Sequence, residues 1–310
     1  MPDKCDMRWF KQNFHEKIDA AIQGTPFTLD LMTALACQET GDVWPILRKK
    51  NLTLDRVLEL CVGDTLDFPK RKAFPRNRAA LEAQPNGPEM FALAHQSLVE
   101  MAQFVPGFPA GNPNKFCHGY GIFQLDLQFF KETPDFFLQK DFADFDKCLG
   151  RALGELQSAR TKIGLGNQNT LSDLELVHVA IAYNTGTFKP ELGLKQGHKS
   201  DDGKFYGEQV FAFLKAAHDV RLADSTTALP FTVDASGPRF KVNSTKLNLR
   251  SEPCVDSGPA SNIKAKLENG HEVRALTNQA IGDNLFLEVE TTVGSGQLRG
   301  FASFQLLTPA

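Results

Sequence analysis

One glutamate, Glu39, follows an apolar run in the stretch LACQETGDVW, residues 35–44. It lies four residues after Leu35 and seven after Met32, so a helix would place its side chain on their apolar face. Burial and the negative end of the helix dipole both disfavour an ionised carboxyl group and should raise its pKa. A carboxyl group that stays protonated near neutral pH suits a general acid. Glu39 is our candidate for that role, with a surface carboxylate in a frayed last turn as the alternative.

The helix that would carry Glu39 has recognisable ends. Thr28 suits the N-cap position, because a threonine hydroxyl accepts a free N–H group of the first helical turn. Gly41 can supply the left-handed residue that often closes a helix. We therefore predict about three turns that end near Glu39.

A second stretch, CHGYGIFQLDLQFF at residues 117–130, interleaves polar and large apolar residues. If it is extended, Gln124 and Asp126 share one face. The glycines at 119 and 121 permit positive φ or a close backbone approach. We expect the amide of Gln124 and the carboxylate of Asp126 either to line a cleft or to lie on a solvated edge.

A third stretch, ELVHVAIAYNTG at residues 175–186, predicts an apolar helix that ends on polar residues and a glycine. Tyr183 lies four residues after Val179, and Gly186 can supply a left-handed cap. Tyr183 is then either a core aromatic with a satisfied hydroxyl group or a substrate contact.

The elements around these stretches change character along the chain. Helical periodicity dominates from residue 8 to about 222, with further helices expected near 9–22, 53–62, 88–105, 141–163, 172–185 and 205–219. Residues 223–240 collect Ser, Thr, Pro and Gly, which is typical of a linker. Beyond them, KLNLRS and DNLFLEVE alternate with a period of two, which predicts strands. We expect a mainly helical domain at 1–222, a linker at 223–240 and a small all-β domain at 241–310.

The composition is that of a soluble globular protein, since 42% of the 310 residues are hydrophobic and 23% are charged. The formal net charge of -3 argues against nucleic acid as the main partner. One basic stretch, PKRKAFPRNR at residues 69–78, indicates either a solvated loop or a contact with an anionic polymer. Its basic residues are Lys70, Arg71, Lys72, Arg76 and Arg78.

Six cysteines occur without a CxxC pair, which argues against a zinc ribbon or a redox motif. They are either buried thiols or, in an oxidising compartment, partners in disulfides. No apolar run approaches the ~20 residues of a membrane-spanning helix, so we expect no integral membrane segment.

Taken together, the three stretches resemble the lysozyme superfamily branch that contains soluble lytic transglycosylases and goose-type lysozymes. That signature has a catalytic Glu followed by a small hydroxyl residue, then GLMQ, then AYNAG. The matching residues here are Glu39-Thr40, Gly121-Ile122-Phe123-Gln124 and Ala182-Tyr183-Asn184-Thr185-Gly186. A further Tyr and Val near the end of the family's domain resemble Tyr206 and Val210.

Two departures from the signature stand out. The 81 residues between Glu39 and Gly121 exceed the family's usual spacing and imply a helical insertion at about 45–115. Asp126 follows the GLMQ element as in goose-type lysozymes, but the acidic residue that those enzymes carry upstream has no counterpart in GNPNKFCHG.

The last domain also resembles a known family. LNLRSEP and GFASFQLL are similar to the first and last strands of bacterial SH3 domains, which commonly bind cell-wall peptide or glycan. Their apolar residues Leu247, Leu249, Phe301 and Phe304 would be core or groove residues. The implied fold is a mainly α lysozyme-like domain of the α+β class, followed by a small all-β SH3-like barrel.

The resemblance implies a muramidase that cleaves the β-1,4 bond between N-acetylmuramic acid and N-acetylglucosamine. Glu39 would be the acid, and Asp126 would position water on the opposite face. The implied substrate-binding residues are Thr40, Tyr120, Gln124, Tyr183 and Asn184, with Tyr183 bonding to Glu39. No metal or cofactor is expected.

Two alternative hypotheses of function are also consistent with the sequence. A lytic transglycosylase would use the substrate's own acetamido group and C6 hydroxyl, which gives a 1,6-anhydro product. A different class would be a non-catalytic wall-binding protein or a cysteine peptidase or amidase. The cysteine enzyme is disfavoured because Cys37 falls inside a helix, and because adjacency of Cys117 and His118 does not make a dyad.

The N-terminal sequence MPDKCDMRWFKQNF lacks the apolar core of a secretory signal, so we expect synthesis and release in the cytoplasm. The implied substrate lies outside, which requires a phage holin or a contact-dependent secretion system. The chain would then be an endolysin or an antibacterial effector that acts in the periplasm or cell wall. We expect a monomer whose partners are peptidoglycan glycan strands and stem peptides, with an immunity protein if it is an effector.

Overall fold

The computed structural model describes residues 1–65, 73–108, 110–220, 226–234, 237–255, 262–282 and 284–310. The chain has a mixed α+β fold and divides into two compact units. The helical unit comprises Met1–Pro2 and Phe10–Asp219, and the strand unit comprises Asp3–Trp9 and Val220–Ala310. Of the basic stretch, Lys70, Arg71 and Lys72 lie outside the described residues.

The periodic segments form helices, as predicted. The helices are α1 (Lys4–Ala21), α2 (Leu29–Thr40), α3 (Trp44–Leu47), α4 (Leu54–Glu59), α5 (Arg78–Glu82), α6 (Gly87–Ala102), α7 (Pro134–Leu138), α8 (Phe145–Lys162), α9 (Asp173–Thr185) and α10 (Tyr206–His218). Short 3-10 helices cover Leu127–Lys131, Asp141–Ala143, Pro190–Leu192 and Phe304–Leu306. The first residues of α1 belong to the strand unit and the rest to the helical unit.

Helix α2 begins as predicted and ends differently. The Thr28 hydroxyl accepts the Leu31 N–H group, so Thr28 is the N-cap residue. Gly41, however, has a right-handed φ of −63°, so the prediction of a left-handed cap is wrong. Glycine fits there for a steric reason, because a Cβ atom would lie 2.0 Å from the Cys37 carbonyl oxygen and 2.7 Å from Pro2 Cγ.

Helix α9 has the ends that its sequence predicts. Gly186 closes it with a φ of 78°, and its N–H group donates to the Ala182 carbonyl at 2.8 Å. At the start, Ser172 and Glu175 form a capping box. Both ends of α9 are therefore fixed by local interactions.

A small antiparallel sheet lies within the helical unit. Its strands, in order, are β1 (Val62–Thr65), β2 (Cys117–Tyr120) and β3 (Leu125–Asp126). The register places Gly119 of β2 opposite both Gly63 of β1 and Asp126 of β3. The segment expected to be a helical insertion thus contains α4 to α6 and also a strand of this sheet.

Residues 121–124 form a turn between β2 and β3. The Gln124 N–H group donates to the Gly121 carbonyl at 3.0 Å, and both residues have positive φ, 52° and 76°. Ile122 and Phe123 are both buried. The expectation of an extended stretch, with Gln124 and Asp126 on one face by alternation, is therefore wrong. The Gly121 conformation, which favours glycine, permits the turn.

An aromatic cluster anchors this turn in the core of the helical unit. The Phe123 ring lies edge-on to Phe10, with centroids 6.4 Å apart, and packs against Phe145 at 6.1 Å. Phe10 also contacts Phe14 and Trp44, whose indole N–H group donates to the Ala36 carbonyl of α2. Burial of Phe123 therefore ties the turn to α1 and α8.

An ion-pair network joins the start of α2, the start of α9 and the end of α10. His218 at the end of α10 lies 2.6 Å from Asp30 of α2 and 3.1 Å from Asp173 of α9. The buried Lys11 ammonium also donates to Asp30 at 2.5 Å and to the Ala217 carbonyl at 2.7 Å. Burial opposes the charge on His218, but hydrogen bonds and charges from both aspartates outweigh it and raise the pKa of His218.

The strand unit is a mostly antiparallel β-structure. Its strands are β4 (Thr226–Ala228), β5 (Arg239–Val242), β6 (Lys246–Arg250), β7 (Ile263–Glu268), β8 (Glu272–Ala275), β9 (Gln279–Ile281), β10 (Phe286–Val293), β11 (Gly296–Ser303) and β12 (Leu307–Pro309). The order is β12-β5-β8-β10-β11-β6-β7, and β9 pairs with β4 and β10. Within the described residues no pairing closes this sheet into a barrel.

The core of the strand unit contains part of the predicted apolar pattern. Leu247 and Leu249 are buried in it, and Phe304 packs against it. Phe301 is only partly buried and lies opposite Glu288 in the β10–β11 pair. The segment expected to be a linker is part of the strand unit. It contains β4, and its Leu229 side chain is buried in this core.

A disulfide joins Cys5 and Cys254 within the strand unit, with Cα atoms 5.8 Å apart. Buried thiols outside this disulfide lie at positions 37, 61, 117 and 148. In the described part of the chain, no helix combines the length and apolar character that crossing a membrane demands.

The His218 network should make stability depend on pH. Because the pKa of His218 is higher in the folded state, its protonation stabilises the fold fully below about pH 6.5, the ordinary pKa of histidine. This stabilisation is lost as the pH rises through the folded-state pKa. We expect His218→Gln to lower Tm by roughly 1–4 °C near pH 6 and by much less near pH 9, in thermal unfolding followed by circular dichroism.

Lys17→Gln is the control, because it removes an exposed ion pair with Asp146. Its effect on Tm should be small and equal at the two pH values. A His218→Gln effect that is the same at both, or larger at high pH, would contradict the assignment.

Candidate active site

Glu39, at the end of α2, lies where two clefts of the helical unit meet. The first cleft has a volume of about 590 Å³ and is also lined by Asp126, Tyr183 and Asn184. The second cleft, of about 610 Å³, is lined by residues that follow Glu39 and by the start of the chain. Glu39 and Gln124 line both clefts. Glu39 is thus a half-buried carboxyl group reached from two sides.

A tyrosine of α10 holds the Glu39 carboxyl group. The Tyr206 hydroxyl donates to Glu39 Oε1 at 2.6 Å, and the Tyr206 ring is buried. Burial, and then the negative charge of Glu39, raise the pKa of Tyr206 well above its usual range. The hydroxyl therefore stays protonated and remains a donor to Glu39.

Tyr183 was expected to bond to Glu39, and the structure shows a different partner. Its hydroxyl donates to the Phe123 carbonyl at 2.7 Å. Burial, and then the charge of Glu39, raise the pKa of Tyr183 well above its usual range. Its neighbour Asn184 is exposed in the first cleft. Tyr183 therefore lines the cleft but uses its hydroxyl to hold the 121–124 turn.

Gln124 lies across a pair of glycines. A Cβ atom built on Gly119 would lie 2.1 Å from Gln124 Oε1, and one built on Gly63 would lie 2.8 Å from it. The amide Nε2 donates to the Gly121 carbonyl at 2.9 Å. The two facing glycines thus leave room for the Gln124 amide against the sheet, at the boundary of both clefts.

Two other expected substrate contacts have structural roles. Thr40 lines the second cleft, but it is buried and its hydroxyl donates to the Ile122 carbonyl at 2.8 Å. Tyr120 is fully buried between Phe137 and Phe142, and its hydroxyl donates to the Cys117 carbonyl. Tyr120 therefore has no surface for a substrate, and that expectation is wrong.

Asp126 lines the same cleft as Glu39, but its carboxylate has protein partners. One oxygen lies 3.1 Å from His118 Nδ1. The other accepts the Gln128 N–H group at 2.7 Å and caps the following 3-10 helix. Sequence reasoning missed His118 as a cleft residue because only the β2–β3 register brings it beside Asp126.

The site contains no metal-binding cluster within the described residues. The side chains of the first cleft that can transfer protons or bind polar groups are the carboxyl groups of Glu39 and Asp126, the imidazole of His118, and the amides of Gln124 and Asn184. Such a set can donate and accept protons and can bind the hydroxyl and acetamido groups of a sugar.

Thr40→Val should destabilise the helical unit, because it removes the donor to the buried Ile122 carbonyl. We expect a loss of about 1–3 kcal/mol in the free energy of unfolding, measured by denaturant titration with tryptophan fluorescence. Thr161→Val is the matched control, since that exposed hydroxyl donates within its own helix, to the Gln157 carbonyl. It should change stability by less than about 0.5 kcal/mol, and equal losses in both variants would refute the role of Thr40.

Comparison of the chain with models of protein families, with curated proteins and with solved structures gives no match.

Proposed function

We propose that this chain is a muramidase that cleaves the β-1,4 bond between N-acetylmuramic acid and N-acetylglucosamine, with Glu39 as the general acid. The observation that supports it is the place of Glu39 and Gln124 on the shared border of two clefts. A polymeric substrate can occupy both clefts at once, which puts its scissile bond beside the acid. An enzyme for a small substrate has no need of the second cleft.

The chemistry follows from the neighbours of Glu39. Its carboxyl proton moves to the leaving glycosidic oxygen as the bond from that oxygen to the anomeric carbon breaks, which leaves an oxocarbenium-like centre. The carboxylate that results keeps the Tyr206 hydroxyl as a donor at 2.6 Å. Tyr206 thus positions the acid and stabilises the charge that it acquires.

Gln124 and Asn184 are the proposed substrate contacts. Both carry amides that donate and accept hydrogen bonds, and both line the first cleft. Acetamido and hydroxyl groups of amino sugars need such partners. A site that hydrogen-bonds a sugar in this way discriminates strongly against analogues that lack those groups.

The strand unit is proposed to be an SH3-like module that binds the cell wall. Its antiparallel strands and the apolar core that they enclose agree with such a module. Binding the wall would raise the local concentration of glycan at the helical unit without adding any chemistry.

A lytic transglycosylase is the second candidate, and the contacts of Asp126 favour it. A carboxylate held by His118 and by the Gln128 N–H group is less available as a base for water. Attack by the substrate's C6 hydroxyl would then give a 1,6-anhydro end. The two products differ by one water, about 18 Da, so the mass of unreduced muropeptides separates them.

The cysteine enzyme is less favoured than either glycosidase. Cys37 and Cys117 carry buried thiols, with only 2% and 0% of their residue surfaces exposed. A nucleophilic cysteine needs an accessible thiolate.

The proposed place of action is the periplasm or cell wall, reached through a holin or a secretion system. The Cys5–Cys254 disulfide supports an oxidising destination, since such bonds persist outside the cytoplasm. If the chain is an antibacterial effector, its producer also needs an immunity protein against it.

Glu39→Gln should abolish cleavage of purified sacculi and keep the fold, because the amide preserves shape but has no proton of suitable acidity. We expect a rate loss of at least about 10²-fold to 10⁴-fold, with an unchanged Tm. Glu155→Gln is the matched control: it makes the same change in the first cleft, at a carboxylate that pairs with Arg151. More than about a tenth of the wild-type rate in folded Glu39→Gln would refute the proposal.

Gly119→Ala should lower activity with little effect on stability. The new methyl group would meet the flexible end of Gln124, at 2.1 Å from Oε1, and displace the amide. We expect the rate on sacculi to fall roughly 10-fold to 100-fold. Tm should fall by no more than about 2–4 °C, because the Gln124 backbone N–H group still donates to the Gly121 carbonyl when the side-chain bond is lost. Gly150→Ala is the control, because nothing lies within 4 Å of the added atom. Equal rates for the two variants would show that the position of Gln124 does not matter.

A further inference from the structure

His118 lies on β2 and lines the first cleft together with Glu39. Only 9% of the residue is exposed, so its neighbours leave the imidazole little freedom to move. Its Nδ1 atom is 3.1 Å from Asp126 Oδ2, and the other oxygen of Asp126 is fixed by the Gln128 N–H group at 2.7 Å. The carboxylate and the ring therefore form a positioned pair in the same cleft as the candidate acid.

This pair has the chemistry of a base with its orienting carboxylate. A neutral imidazole has one N–H group and one basic nitrogen. An aspartate at Nδ1 selects the tautomer whose N–H group donates to it, which makes Nε2 the basic atom. Asp126, with both oxygens engaged, is better suited to orient the ring than to accept a proton from substrate.

We propose that His118 is the base that activates the attacking water, and that Asp126 is its positioning residue. This inference rests on the proposed glycosidase function. It assigns the activation of water to the His118 imidazole, whereas the resemblance to lysozymes implied that role for the Asp126 carboxylate.

In the proposed step, one water molecule cleaves one glycosidic bond. One water O–H bond breaks, its proton binds His118 Nε2, and the water oxygen forms a bond to the anomeric carbon. The bond from that carbon to the glycosidic oxygen breaks, and Glu39 gives this oxygen its proton. The products are a reducing end, a free hydroxyl end, an imidazolium and a Glu39 carboxylate. Loss of the imidazolium proton to solvent and uptake of one by Glu39 restore the enzyme.

Other charged groups face the same cleft. Among the described residues these are Glu155 and Lys162 of α8, besides Asp126 of β3 and Glu39 of α2. Glu155 lies 3.0 Å from Arg151. A pH effect that belongs to His118 must therefore be separated from theirs by substitution at His118 itself.

The test compares the full-length protein with its His118→Gln, Asp126→Asn and Glu39→Gln variants on soluble muropeptide chains. His95→Gln is the control, because His95 is a partly buried histidine on α6 whose Nδ1 contacts the Lys115 carbonyl outside the cleft. Circular dichroism and Tm establish that each variant is folded. The readouts are kcat, KM, the pH profile of kcat/KM and the mass of the products.

We expect His118→Gln to lower kcat at least about 10²-fold with little change in KM and to remove one limb of the pH profile. Asp126→Asn should lower kcat by a smaller factor, with little change in KM, and should keep that limb, because the ring remains but loses its orienting carboxylate. Wild-type products should be reducing ends, and His95→Gln should resemble the wild type.

Three results would overturn this assignment. They are a folded His118→Gln variant within about threefold of wild-type kcat, an unchanged pH profile, or wild-type products that are mainly anhydro ends. Glu39→Gln separates the two proposals. If it is inactive while His118→Gln is active, only the role of His118 fails, whereas an active Glu39→Gln variant refutes the glycosidase itself and this inference with it.

Discussion

The 121–124 turn depends on three consecutive backbone carbonyls, each of which accepts a hydrogen bond from a side chain. Gly121 accepts from Gln124, Ile122 from Thr40 of α2, and Phe123 from Tyr183 of α9. A buried carbonyl without a partner is costly, so these bonds fix where the turn lies relative to both helices. Since α2 ends on Glu39 and Thr40, the same bonds determine how far the candidate acid is from the turn that carries Gln124.

Helices α2 and α10 are held together at both ends. Tyr206, the first residue of α10, binds Glu39 near the end of α2, and His218, the last residue, binds Asp30 near the start of α2. The two helices therefore run antiparallel, with a polar contact at each end and packed apolar side chains between them. This arrangement fixes the register of α10 on α2, because a slip of one turn moves each partner by about 5.4 Å.

Local signals in the sequence were sufficient for much of the fold and for only part of the site. Helical periodicity, the Thr28 cap and the left-handed Gly186 were predictable because each depends on neighbours in the chain. Which tyrosine reaches Glu39 was not, since Tyr206 is 167 residues away and is placed by helix packing. The pairing of His118 with Asp126 likewise depends on sheet register, which alternation alone does not determine.

Gln124 shows most directly why the extended-strand expectation failed. A non-glycine residue with φ of 52° costs roughly 1–3 kcal/mol, and glycine or asparagine would adopt this conformation more easily. Glycine has no side-chain amide, however. Asparagine has one, but its side chain is one methylene shorter than that of the glutamine that lies across Gly63 and Gly119. The turn bonds and the burial of Phe123 offset the strain, so the backbone tolerates glutamine where its side chain reaches the border of both clefts. Strain held in this way is a reason to assign Gln124 to the site rather than to the fold.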